Sequence, residues 1–148
     1  QDDAGIAASL NNHGILLAET GNWKNACLYL EEALTLRRKI GDRSREAVTL
    51  ATLGSVNARL ADFKQAISYL EDALSIQQEI GDFPATAAAL DSLGNIYRQL
   101  HDWDASERYL TESIRIHQQV GNKAGEAEAL NNLGLIYRSK EIQGKLKK

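Results

Sequence analysis

Ala7, Ala47, Ala87 and Ala127 stand forty residues apart, and so do Leu10, Leu50, Leu90 and Leu130. Gly14, Gly54, Gly94 and Gly134 keep the same step without slippage. No other feature constrains the fold as tightly. A fixed period of this size marks a stacked repeat architecture, in which each unit buries its apolar face against its neighbours. The clearest copy is AEALNNLGLIYR, from Ala127 to Arg138.

The period divides the chain into blocks at 1–40, 41–80 and 81–120, with an incomplete one at 121–140. Each block opens on a polar signal: Asp2-Asp3, Gly41-Asp42, Gly81-Asp82, Gly121-Asn122. Asp or Asn there can cap a following helix, and Pro84 falls in a first turn that tolerates proline. In the third block Leu90, Leu93, Tyr97 and Leu100 recur at threes and fours, which defines one helical face. A second break, Thr20-Gly21-Asn22, Ala61-Asp62 or His101-Asp102, leads to Trp23, Phe63 or Trp103 and a second helix. Each complete block is therefore expected to be an antiparallel helix pair. No linker or shift of composition divides the blocks, so residues 1–140 are expected to form a single array. Residues 141–148 are left as a basic tail, expected to be disordered.

Glycine inside a helix costs about 1 kcal/mol relative to alanine. Four at equivalent positions need a reason, and the close approach of a neighbouring helix supplies one. Ala26, Ala66 and Ser106 in the second helices are expected to form the other side of that contact. Leu130, Leu133, Gly134 and Tyr137 are expected to be packing residues in the same way.

Composition narrows the function classes. Hydrophobic residues make up 43% and charged residues 25%, with one proline, a balance that favours helix. Net charge is −3, and four of the 17 Lys and Arg lie in the last nine residues, leaving an acidic body. That argues against nucleic acid as a partner, which calls for a basic field over the body. No apolar run is long enough to span a membrane, and no signal-like N-terminus appears. A single cysteine, Cys27, rules out an internal disulfide, and the expected setting is a reducing, cytoplasmic one. The absence of methionine, even at position 1, suggests a piece of a longer chain.

The same residues carry a resemblance to the tetratricopeptide repeat family. Block three supplies Leu90, Leu93-Gly94, Tyr97, then Ser106, Leu110 and Ser113. Block one supplies Leu10, His13-Gly14, Leu17, then Ala26, Leu30 and Ala33, and block two Leu50, Leu53-Gly54, Asn57, then Ala66, Leu70 and Ala73. The forty-residue form, with its LNNLG and IGD signatures, resembles the repeats of kinesin light chains. It is also similar to repeats attached to bacterial signalling ATPases and transcriptional regulators. His13 replaces the leucine of the pattern and Asn57 the tyrosine. Gln143 stands where a fourth turn-following aromatic would fall, so the last block lacks its second helix.

The resemblance implies an all-α, right-handed superhelical solenoid of about three and a half repeats. It also implies that first helices line a concave face that binds a peptide or a partner helix. Carried over by position, that face comprises Asn11, Asn12, Ile15, Glu19, Ser55, Arg59, Asp91, Asn95, Arg98, Gln99, Asn131, Leu135 and Arg138. An asparagine amide donates and accepts at once, so it can pair with a peptide backbone whatever the side chain. Arg98 and Arg138 offer planar forks for carboxylates, and with Arg59 they point to an acidic partner.

Against this stands little sign of chemistry. The three histidines do not cluster, and neither HExxH nor CxxC spacing occurs, so no metal is expected. Phosphate-cradling glycine loops are missing, so no nucleotide cofactor is expected either. Cys27 lies beside Ala26 in a packing stretch, with no base near it in sequence. A non-catalytic interaction scaffold is the expected function. The alternatives are a self-associating array, through the unfinished C-terminal end, and a sensor segment of a larger signalling ATPase or transcription regulator.

Overall fold

The computed structural model describes residues 2–148. Among them are seven α-helices and no strand: α1 (Asp3–Glu19), α2 (Trp23–Ile40), α3 (Arg43–Arg59), α4 (Phe63–Ile80), α5 (Phe83–Gln99), α6 (Trp103–Val120) and α7 (Lys123–Leu146). The polar signals act as read. Asp2, Asp42, Asp82 and Asn122 each accept the amide N–H three residues on, satisfying a donor that the helix itself cannot. Asp62 and Asp102 do the same for α4 and α6. Gly41 and Gly121 close α2 and α6 in the left-handed conformation. The turn that holds Gly21 in block one is made by Ala61 and His101 in the next two, at φ 58° and 60°.

The helices group into two compact units, residues 1–80 and 81–148. In the first, α1 and α2 run antiparallel, since Lys39 at the end of α2 pairs with Asp3 at the start of α1. The core gathers Ala26, Leu30, Leu34, Leu50, Leu53, Val56, Ala73 and Ile76, with Trp23 and Tyr69 packed against it. Glycine sets the helix spacing. A Cβ on Gly14 would fall 2.7 Å from Leu30 Cγ, and one on Gly54 2.5 Å from Leu70 Cγ. Both leucines are fully buried, so neither can withdraw. The departures from the repeat pattern are also accounted for. Leu53 and Leu93 are buried at the register position where His13 is exposed, its ring tilted against Tyr29 at 4.4 Å. Asn57 is buried, donating to Leu53 O at 2.8 Å and to Cys27 Sγ at 3.7 Å.

In the second unit α5 and α6 repeat the pairing: a Cβ on Gly94 would fall 2.7 Å from Leu110 Cγ, and Ser106 Oγ donates to Gly94 O at 2.7 Å. Against α6 lies α7, with Ala129 and Ile136 buried. Two expectations need correcting here. The stretch after 140 is not a disordered tail, because α7 runs on to Leu146. Apart from Gly144 its residues are ordinary helix formers, no Gly-Asp turn signal occurs, and Lys140 ties the extension to Asp104 and Glu107 of α6. The packing role given to Leu130, Gly134 and Tyr137 also fails. Leu130 and Tyr137 are about half exposed, at 47% and 51%, and a Cβ on Gly134 would meet nothing within 4 Å. Among the described residues nothing packs on Gly134. Among the described residues no helix is long and apolar enough to cross a membrane.

Candidate functional site

In the first unit, α1 and α3 set side chains of adjacent first helices beside one another. Ile15, Ala18 and Glu19 of α1 and Thr52, Ser55, Val56 and Arg59 of α3 line a hollow of ≈ 230 Å³, with Trp23 at the head of α2 completing it. The local reason is helical spacing. Residues three and four apart share a face, so 15, 18 and 19 present together, as do 52, 55, 56 and 59. The floor is apolar and the rim is polar. Arg59 and Glu19 are exposed, and neither has an ion-pair partner among the described residues. Such a site can take an apolar side chain while Arg59 forks onto a neighbouring carboxylate. Ser55 turns its hydroxyl onto Ala51 O at 3.2 Å, so it supplies surface more than a free donor.

The same register in the second unit selects Asn95, Arg98 and Gln99 on α5 and Asn132, Leu135, Ile136 and Ser139 on α7. Asn95 and Arg98 are half-buried, and Gln99 and Leu135 are exposed. Arg98 Nε is buried without a hydrogen-bond partner.

Two of the expected contact residues are drawn inward. Asn11 is buried, and its Oδ1 accepts from Thr49 Oγ1 at 3.1 Å. Behind Thr49 lies Arg37, also buried, donating to Thr49 Oγ1 and, at 2.6 Å, to Arg45 O. Burial pulls the Arg37 guanidinium below its ordinary pKa, opposed by nearby Asp42. Asp91 is likewise engaged: Ser113 Oγ donates to one oxygen, and His117 Nε2 lies 2.8 Å from the other. Asn12, Asn131 and Arg138 are exposed, and none of them lines the hollow.

The sequence reading missed Ala18, Thr52 and Val56 as lining residues, and it placed Trp23 only at the start of a second helix. A register comparison with Ser55 and Arg59 would have found them. It also missed the Asp91–Ser113–His117 cluster, whose members lie 22 and 26 residues apart. No short motif signals that arrangement.

Other ionisable groups with shifted titration lie outside the hollow. Burial, and then Glu31, push the Cys27 thiol up, which disfavours the thiolate a nucleophile needs. Lys140 is pushed up to about 12 by hydrogen bonds to Asp104 and Glu107. Glu107 in turn is held below its usual value by Lys140 and by Tyr137, whose hydroxyl donates to it at 3.0 Å. Among the described residues no group of three His, Cys, Asp or Glu side chains could hold a metal ion.

A family profile described as tetratricopeptide repeat matches residues 5–79 and 85–142. Solved structures agree on the fold. BtubC (BKLC) from P. vanneervenii superposes with a TM-score of 0.89 at 21% identity, covering 95% of this chain and 59% of that one. A signal transduction ATPase with numerous domains and a tetratricopeptide repeat sensor, from Pyrococcus horikoshii, gives 0.84 at 19% identity, covering 92% and 21%. Aspartyl phosphate phosphatase F from Bacillus subtilis gives 0.84 at 16%, covering 93% and 37%. The chain thus spans 59% or less of each of these three relatives. No curated protein matches it.

Proposed function

Because the chain belongs to the tetratricopeptide repeat family, whose arrays generally serve as non-catalytic scaffolds for protein–protein contacts, we propose that it binds a peptide or partner helix on its first helices. Residues 1–140 act as one array in this reading, and the setting is cytoplasmic. The observation that carries it is the hollow between α1, α2 and α3, apolar at its floor and edged by an unpaired Arg59. In the first unit Ser55 lines this hollow and Asn12 is exposed on α1; in the second, Asn95, Gln99 and Leu135 hold the same register on α5 and α7, and Asn131 and Arg138 are exposed on α7. Asn11 and Asp91 hold helices together instead of meeting a ligand. Arg59, Arg98 and Arg138 favour acidic segments.

Fluorescence anisotropy with a peptide library tests this. Arg59→Ala is expected to weaken acidic hits roughly tenfold, about 1.4 kcal/mol, and less so at high salt. If Arg59→Ala and a joint Asn95, Arg98, Asn131, Arg138→Ala variant both leave every hit unchanged, the groove is misassigned.

A second reading takes the chain as a sensor or regulatory segment of a larger signalling protein. Its support is the likeness to the repeat sensor of the Pyrococcus ATPase, of which this chain would span 21%. Sequencing the flanking gene separates that from a stand-alone adaptor: a neighbouring nucleotide-binding domain supports it, and an isolated repeat array defeats it.

A further inference from the structure

The rim of the hollow in the first unit carries two opposite charges, and neither is neutralised within the chain. Glu19 and Arg59 hold the same register, forty residues apart, at the C-terminal ends of α1 and α3. Both line the hollow, both are exposed, and neither has an ion-pair partner among the described residues. Elsewhere in the same unit Arg38, Lys39, Arg43 and Arg45 are each paired with a carboxylate.

The two helix ends differ in the field they add. A helix C-terminus carries partial negative charge, which a basic side chain in the last turn offsets. Arg59 does this for α3, whereas α1 has no basic residue in its last turn, and Glu19 adds a carboxylate there. Thr20 Oγ1 donates to the Leu16 and Leu17 carbonyls, at 3.1 and 3.0 Å, but brings no charge. The α1 side of the hollow is therefore short of a cation, and the α3 side offers one. Between them lie Ile15, Ala18 and Val56, with Trp23 completing an apolar floor.

The matching register of the second unit is built differently. Its rim positions are Gln99 and Ser139, both uncharged, and a long, half-buried Arg98 stands where the first unit has the methyl of Ala18. The charged pair is thus a property of this hollow and not of the repeat.

Taking the hollow as a peptide site, the reading on which this inference rests, we propose that it selects a segment with an apolar side chain between a basic and an acidic residue. The apolar side chain enters the ≈ 230 Å³ hollow, the acidic one meets the Arg59 fork, and the basic one meets Glu19. Packed helices lie about 8–10 Å apart, which an extended chain spans in three steps of about 3.3 Å. The two charged residues therefore stand three apart in the segment.

Three fluorescein-labelled peptides, capped at both ends and titrated with the full chain, test this. One carries Lys-Leu-Ala-Glu, one Glu-Leu-Ala-Glu and one Lys-Leu-Ala-Lys, each between Gly-Ser spacers. The mixed peptide is expected to bind roughly tenfold tighter than either of the others, with the gap shrinking at high salt. Glu19→Lys should move the preference to the twice-acidic peptide, and Arg59→Glu to the twice-basic one. Both positions are exposed, so the circular dichroism spectrum should not change. If the unaltered chain binds the twice-acidic peptide as tightly as the mixed one, or Glu19→Lys leaves the order unchanged, no cation is selected. The inference then falls while the hollow stands as a peptide site. If none of the three peptides saturates, the peptide-site reading of the hollow falls with it.

Discussion

Two helices of the second unit carry nearly the same motif and meet different fates. Leu93-Gly94 with Ile96-Tyr97-Arg98 lies on α5, and Leu133-Gly134 with Ile136-Tyr137-Arg138 on α7. Ile96 and Ile136 are both buried. The glycines diverge: Gly94 is pressed against Leu110, and Gly134 faces empty space. The tyrosines diverge as well. Tyr97 stacks on Tyr109, whereas Tyr137 exposes its ring and sends its hydroxyl to Glu107. A repeat motif thus encodes an interface, and whether that interface is filled depends on the neighbour. The same residues hold two helices together in one place and stand exposed in the other.

The sharpest way to break this contrast is to truncate leucines on the two sides. Leu110 is fully buried, so Leu110→Ala should cost about 2–5 kcal/mol from lost transfer energy and the cavity left behind. Leu130→Ala, at a half-exposed site, should cost under about 1 kcal/mol. Urea unfolding followed by circular dichroism reads both, and equal costs would mean that the α7 face is covered after all.

Glycine replacement should reverse sign between the two helices. Gly94→Ala forces a methyl within 2.7 Å of Leu110 Cγ, an overpacking worth about 1–3 kcal/mol of destabilisation. Gly134→Ala should stabilise by about 0.5–1 kcal/mol, since helix propensity improves and nothing is struck. Two shifts of the same sign in the unfolding midpoint would dissolve the comparison.

The smallest effect concerns what holds α7 in place. Asp104 and Glu107 titrate below their ordinary values because Lys140 hydrogen-bonds to both. Depressed carboxylates contribute stability above their unfolded pKa, and that contribution is lost as pH falls through the depressed values, below ~4. At the alkaline end the contribution of Lys140, raised to about 12, is lost as pH rises through that value. Lys140→Met should therefore flatten the acid limb of the unfolding midpoint against pH. An unchanged limb would show that the pairing contributes nothing, as many exposed ion pairs do.

Much of the fold was legible because its signals are local. Caps, turn glycines and the three–four spacing of apolar residues each act within a turn or two of helix, so Asp42, Gly41 or Leu90 could be read in place. The α7 extension was missed because the forty-residue period suggested a boundary at 140. The run from Lys140 carries no Gly-Asp pair, and the helix continues through Gly144 to Leu146. Of the candidate site, Ser55, Arg59, Asn95 and Gln99 were legible as outward positions of first helices. Asn11 and Asp91 were not, because their partners Thr49, Ser113 and His117 lie 22 to 38 residues away on other helices.

From sequence alone the chain is a forty-residue helix-pair repeat with glycines at its contact points, since period and local propensity suffice for that. Which polar residues turn inward, and which glycine is left bare, was decided only by tertiary structure. Both depend on what a neighbouring helix brings to the contact, and a residue's own sequence surroundings do not contain that neighbour.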